Sequence, residues 1–527
     1  MNRSSRPLCV LWLPSAVTVA LLIANCVLIM PGRALGSTHY VAANGSDSNN
    51  GTSKTTPWLH APGMPNCSSN CKSYTPSGGD NLIFRGGDTW HFANRSASPY
   101  TGGEWNWTWS GSSSSSPVYI GVDQMWYSGN SWTRPILSSD NPTNKKAVAN
   151  CAYALPYSNQ MISFNSINYV LFDNFEITGF CWSNSSLPYG DNVMVESQGP
   201  AAGLTPCYIT YEHLYVHGWT HTTAGKEGAG GGFQGFNQNF GVCFQYNVID
   251  GSDSDDTSLS AIIGDTYSAE YNVFRHFGGT IVGNTCHTLH DNLFEYINNV
   301  TDGSSHTDVW FCYGEYSGGK ANPNTFYNNI FRHIGTQYNE AVSAITLFSP
   351  PTGQTDYMFN NVAHDNQPGG TNYFNLNERG GPGGGNLAVY NNTGVVGRAR
   401  CLICNGSGIG TVTAANNLWI TTGSNSSIFG DTSTLSETHS VYMAPTKAAS
   451  QGYKSANDYA PNSTVGAGIS NSAFCNGLSD STAKSSCLNG TTNRCTFVAA
   501  DHTVSCPEIS SVARPSSAPR NQTVGAQ

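Results

Sequence analysis

The chain has 527 residues and a formal net charge of −10; only 11% of its residues are charged, 39% are hydrophobic, and 57 are glycine. This balance excludes a coiled coil and a disordered chain, because apolar residues suffice for a core and turn formers abound. An acidic surface excludes nucleic acid and anionic membranes as natural partners, and an acidic substrate would need local Lys or Arg or a bridging cation.

In chain order, Arg3 and Arg6 precede an apolar run over about residues 8–30, and Ala34-Leu35-Gly36 follows it. Basic start, apolar stretch and small residues predict a secretory signal peptide over residues 1–36, cleaved after Gly36. Pro14 and Asn25 interrupt the run, which speaks against a spanning anchor. The body is then expected outside the cell, extracellular or periplasmic, with no membrane attachment after cleavage. Of the 16 cysteines, Cys9 and Cys26 fall in the leader and an even number remains, which suggests disulfides in an exported chain. Cys67/Cys71 and Cys401/Cys404 are close pairs, and Cys475, Cys487, Cys495 and Cys506 form a C-terminal set. Zinc at Cys401 and Cys404 is the competing expectation, but no second ligand pair lies nearby at metal spacing.

An Asn recurs between two apolar or aromatic segments: Asn174, Asn247, Asn272, Asn292, Asn329, Asn361, Asn392 and Asn417, with His213 filling the same place. The copies lie about 20 to 39 residues apart, which suits one coil of a β-solenoid with loops of varying length. Asn tolerates left-handed backbone at a tight turn between strands, and stacked Asn side chains can bond along the axis. The flanking segments, such as 169–172 and 325–327, are rich in Phe, Tyr, Val and Leu. A third strand per coil is expected at 193–195, 261–263, 280–282, 307–311, 344–347, 373–376 and 401–403. Stacked, these make a parallel sheet rimmed by the variable loops. The expected architecture is all-β: a right-handed, single-stranded parallel β-helix over residues 37–425, with C-terminal coils and a cysteine-rich closing segment, 426–527, packed on it.

Residues 39–52 (HYVAANGSDSNNGT) with Pro57 and Trp58, the stretch 79–87 (GDNLIFRGG), the stretch 458–468 (DYAPNSTVGAG) and the closing 514–526 carry a family likeness. In these segments the chain resembles secreted right-handed parallel β-helix proteins, the pectate-lyase-like polysaccharide lyases and related glycoside hydrolases. The resemblance implies a carbohydrate-active protein with a polysaccharide substrate. The polygalacturonase motif set and the Arg-x-Pro-x-x-Arg pattern of classical pectate lyases are not found, so the precise activity stays open.

Several residues can carry chemistry. On a strand through residues 307–311, His306, Asp308 and Trp310 would share one face, so that His or Asp could transfer protons while the indole stacks on a sugar. Asp253, Asp255 and Asp256 cluster as hard oxygen ligands that suit Ca2+, which could bridge to a uronic acid polymer. Asp47 with Asn49 and Asn50 is a weaker calcium set, better suited to a turn near the N-terminal cap. The resemblance makes Lys226 a candidate base for β-elimination. Glu340, Arg379 and Arg400 stand near the later strands and could line the same groove, the two arginines as substrate ligands. A hydrolase would instead pair Asp308 with Asp256 or Glu340. Trp105, Trp107 and Trp109 are either a sugar platform or a packed cap, and the repeated Arg275-His276 and Arg332-His333 either a stack or a site. The expectation is an enzyme, lyase or hydrolase, acting as a monomer; the alternative is a non-catalytic carbohydrate-binding or cell-surface β-helix protein.

Overall fold

A computed structural model describes residues 36–142, 148–155, 160–182, 192–200, 206–222, 230–236, 241–251, 260–264, 266–276, 287–297, 308–311, 324–334, 344–347, 352–366, 385–396, 409–421, 429, 434–459, 468–470, 472–489, 496–498 and 503–505. The unit from Ser37 onward is compact. Among the described residues it is built of two long sheets of 13 and 12 strands and a shorter one of five. Every pairing within these three sheets is parallel, and each strand bonds to its counterpart one coil away. In one coil Ile209–Glu212 lies in the 13-strand sheet, Tyr215–His217 in the 12-strand sheet and Gly230–Phe236 in the five-strand sheet. The protein is a parallel β-helix, with the coil hand that twisted parallel strands favour.

The asparagine repeat is the turn between the two long sheets, but its two functions fall on neighbouring residues. The left-handed residue is the one before the ladder Asn: Tyr246 has φ 56°, Tyr271 59°, Asp291 56° and Asn328 60°. Asn174 (φ 68°) and His213 (φ 52°) occupy this same position, one residue ahead of where the repeat alone had aligned them. The expectation that the ladder Asn itself takes the left-handed backbone is thereby corrected. The ladder proper runs through Asn247, Asn272, Asn292, Asn329, Asn361, Asn392 and Asn417, all at most 2% exposed. Asn329 is representative: its Nδ2 donates to Leu289 O and Asn361 Oδ1, both at 3.0 Å, while its Oδ1 accepts from Asn292 N and Nδ2 at 3.1 and 3.0 Å. A buried amide with all its functions engaged stabilises the stack, and a truncated one orphans its neighbours.

Inside the coils, Phe172, Tyr211, Phe244, Phe274, Phe294, Phe326 and Phe331 form one continuous core. Trp105 and Trp107 are fully buried and Trp109 packs against them, so this group is part of the core and not a sugar platform. The Arg-His repeat is a stack on the 12-strand sheet. Arg275 Nε lies 3.3 Å from Glu295, Arg332 Nε 2.9 Å from the same carboxylate, and the His276, Tyr296 and His333 rings stack at 5.1 and 4.9 Å. Asp47 accepts from Leu59 N, His60 N and Ser68 N, with His60 Nδ1 2.8 Å from Oδ2. It is a structural clamp at the N-terminal end, not a calcium ligand.

Cys67–Cys71 forms as expected, Cys475 and Cys487 of the C-terminal set pair with each other, and Cys151–Cys181 and Cys207–Cys243 are further disulfides. Cys401 and Cys404 lie outside the described residues. Among those described, no helix is long and apolar enough to cross a membrane. Both long sheets continue past residue 425, to Leu435–Thr438 and Val441–Met443. Beyond them, helices Ser472–Gly477 and Ser481–Asn489 pack Cys475, Leu478, Ala483 and Cys487 on Tyr327 and Phe359 of the 13-strand sheet.

Candidate functional site

The sheet that follows the variable loops is the first place to look. Its strands Trp105–Trp107, Gln160–Phe164, Asn192–Gln198, Gly230–Phe236 and Ser260–Gly264 stack in register. Trp105, Ile162, Val195 and Phe233 point inward and are buried. Alternation puts the next residue of each strand on the outer face, and Asn106, Ser163 and Glu196 form that outer row. Asn106 is exposed, Glu196 half-buried and Ser163 buried. Asn165 Nδ2 donates to Asn106 Oδ1 at 3.2 Å and to Ser163 Oγ at 2.7 Å, and the Gln160 amide donates to the Glu196 carboxylate. The result is a line of amide, hydroxyl and carboxylate groups, one per coil.

Two later strands, Asp308–Phe311 and Ala344–Leu347, pair in parallel with Asp308 opposite Ala344 and Trp310 opposite Thr346. Val309 is fully buried, as expected of its face. Asp308 and Trp310 thus stand on a strand stacked with that of the next coil. His306, Lys226, Asp253, Asp255, Asp256, Glu340, Arg379 and Arg400 lie outside the described residues.

A second polar row sits on the outer face of the 13-strand sheet. Register aligns Asp173, Glu212, Gln245, Glu270, His290 and Tyr327. The sequence carries a signal for it: each is the residue just before the left-handed turn residue, two places before the ladder position. His290 is buried between Glu270 Oε2 at 2.7 Å and Asp291 Oδ2 at 2.8 Å. Burial works to lower its pKa, but hydrogen bonds to Asp291 and Glu270 carry it up to about 9. Glu270 remains below its ordinary value despite burial, held there by the His290 hydrogen bond. Burial, then the nearby Asp173 charge, pushes Glu212 up. Asp173 accepts from Tyr119 Oη at 2.7 Å, and its Oδ1 lies 2.8 Å from His213 Nδ1. Donor atoms of Asp173, Glu212 and His213 all fall within 4.8 Å of one another, a group able to hold a metal ion.

No family model matches the chain, and no curated protein does. Among solved structures it is similar to the GH136 lacto-N-biosidase from Eubacterium ramulus, at 13% identity and TM-score 0.43, over 77% of this chain and 68% of that one. It is similar to pectate lyase Pel9A at 13% identity and TM-score 0.32, over 78% and 79% of the two chains. A rhamnogalacturonan lyase gives 14% identity and TM-score 0.35, over 78% and 86%. The β-helix rests on the strand registers above, independently of these similarities.

Proposed function

We propose that this is an exported carbohydrate-active enzyme that binds a polysaccharide along the outer face of the sheet following the variable loops. The observation that carries the reading is the in-register row in which Asn106 and Glu196 reach solvent on either side of the buried Ser163. Coils repeat at about 4.8 Å, so these two accessible groups stand about two coil spacings apart along one line, open to a hydroxyl-rich polymer. The family likeness of the terminal segments supports the substrate class, and the four disulfides among the described residues fit an oxidising compartment.

Downstream of this row, His306 and Asp308 are assigned to proton transfer and Trp310, Arg379 and Arg400 to holding the sugar. In an eliminating mechanism Asp253, Asp255 and Asp256 hold Ca2+, which neutralises a uronate carboxylate, and Lys226 takes the proton beside that carboxylate. In a hydrolytic mechanism Asp308 pairs with Asp256 or Glu340 as acid and base.

A panel of polysaccharides, tested with and without Ca2+, separates the two. Elimination creates a double bond that absorbs in the ultraviolet, whereas hydrolysis yields reducing ends alone. Loss of turnover in His306→Ala and Asp308→Ala, with Glu196→Gln raising KM, is the expected pattern. Silence across a broad panel refutes the enzyme and leaves a binding protein.

A further inference from the structure

Among the described residues, the polar row of the 13-strand sheet contains a carboxylate that no hydrogen bond engages. Both oxygens of Asp173 are engaged, by Tyr119 and by His213. Glu212 stands opposite Asp173 on the next strand, half-buried, and its carboxylate accepts no hydrogen bond among the described residues. Its electrostatic neighbours are Asp173, His213 and Glu270, so burial has placed a carboxylate between two others. The imidazolium of His290 is already shared by Glu270 and Asp291.

We propose that Asp173, Glu212 and His213 bind one divalent cation of the borderline class, with Zn2+ as the type, on the outer face of this sheet. The donor set decides the class. One imidazole with two carboxylates suits zinc-type ions, whereas Ca2+ takes six to eight oxygens. The site is therefore distinct in residues and in preferred ion from the Asp253, Asp255 and Asp256 set.

Geometry supports it. Two ligands each about 2.0–2.1 Å from a tetrahedral ion sit roughly 3.3 Å apart. His213 Nδ1 and Asp173 Oδ1 are 2.8 Å apart, so the ion replaces the proton between them after a small separation. The proton leaves Nδ1 to solvent, and Nε2 carries the N–H of the neutral imidazole once the ion is bound. Glu212 completes the set by rotating, which no hydrogen bond among the described residues opposes.

The surroundings hold the first two ligands in place. The His213 ring stacks on Tyr246 with centroids 5.2 Å apart and planes 6° from parallel. Arg134 Nε donates to the His213 carbonyl at 3.0 Å, fixing the turn from below. Tyr119 reaches Asp173 only because residue 121 is glycine: a Cβ there would lie 2.4 Å from the Tyr119 Cζ and Oη. A hydroxyl that orients a ligating carboxylate in this way contributes to affinity through the ligand.

The test is calorimetric titration of the chelator-treated, thiol-alkylated full chain with Zn2+, followed by Mn2+ and Ca2+. Alkylation removes free cysteines as a competing site. One Zn2+ per chain is expected, bound more tightly than Ca2+. Glu212→Gln and Asp173→Asn should each weaken it at least tenfold. So should His213→Asn, a change that keeps a residue tolerant of the left-handed turn. Tyr119→Phe preserves packing and should weaken binding about tenfold without removing a ligand. Replacing Asp253, Asp255 and Asp256 by Asn should leave Zn2+ affinity unchanged. Thermal unfolding monitors the fold of each variant, and Zn2+ should raise the midpoint of the parent but not of Glu212→Gln. Absence of Zn2+ binding, or equal affinity in the parent, Glu212→Gln and His213→Asn, overturns the proposal.

Discussion

Asp356 gives the β-helix a built-in dependence on pH. It alternates with the core residue Met358 on strand Thr355–Phe359 and is 1% exposed, so it lies inside the coil. Both of its oxygens are served by one residue, Asn324, whose backbone N and Nδ2 donate at 2.9 and 3.0 Å. Burial pushes its pKa from 3.8 up to about 7 and outweighs these two hydrogen bonds, which favour the charged form. The folded protein therefore keeps a proton that the unfolded chain has already lost, and stability falls as pH rises from about 4 to about 7. One unit is worth about 1.36 kcal/mol, so a shift of about three units removes roughly 4 kcal/mol in all, of which about 3 kcal/mol is lost between pH 5 and pH 8. Asp356→Asn abolishes the ionisation and keeps an amide that can pair with Asn324. Urea unfolding of parent and variant across that range should show the difference growing by about 3 kcal/mol in favour of the variant. Parallel profiles would refute a buried, proton-retaining Asp356.

Four other outcomes follow from the same contacts. Asn329→Ala leaves the Asn292 N–H and the Leu289 carbonyl without their partner in the ladder and should cost about 3 kcal/mol, read by denaturant midpoint. His290, carried up to about 9 from 6.5, contributes stability fully present below about pH 6.5 and lost as pH rises through about 9. Replacing it by Gln should therefore flatten stability over that interval, by at most about 3 kcal/mol. Removing the Cys475–Cys487 bridge, which spans 12 residues, by a double change to Ser should cost about 3 kcal/mol and expose the Tyr327 and Phe359 surface to a hydrophobic dye. Glu196→Gln should leave the fold intact, since the change keeps the size and one acceptor, while KM for the active polysaccharide rises; an unchanged KM removes the Asn106–Ser163–Glu196 row from the binding surface.

The coil architecture was legible because its signal is repetitive. Buried aromatic strands flank every turn, and a single Asn slip or substitution is outvoted by the other copies. The same repetition concealed the register. An Asp-Asn-Phe segment at residues 173–175 and a Tyr-Asn-Val segment at 246–248 look alike, yet Asn174 takes the left-handed position and Asn247 the ladder position. Only the pairing of Tyr215 with both Glu176 and Val248 separates them. The strand 307–311 was placed to within one residue because Val309 has a core to enter. Lateral rows such as Asp173, Glu212 and Glu270 depend on residues 39 and 58 positions apart meeting across coils of unequal length. Loop length sets no periodic signal, so such rows become readable only when the register is known.

The ladder also constrains where function can reside. Each ladder Asn uses its amide on the coil before and the coil after, so the turn has no spare donor or acceptor to offer a ligand. Outward positions on the strands carry no such obligation. On the 13-strand sheet they divide. Toward the C-terminal end Tyr327, Phe359 and Tyr390 are apolar and covered, with Phe474 stacked on Tyr390 at 3.9 Å. Toward the N-terminal end Asp173 and Glu212 stay polar, with His213 exposed beside them. A core-building role accounts for the covered half. It does not account for a row of carboxylates kept half-buried at a cost in desolvation, when uncharged residues would pair the same strands equally well. That surplus of charge at Asp173 and Glu212, apart from the stabilising Glu270–His290 pair, is the physical reason to test this part of the row for a ligand.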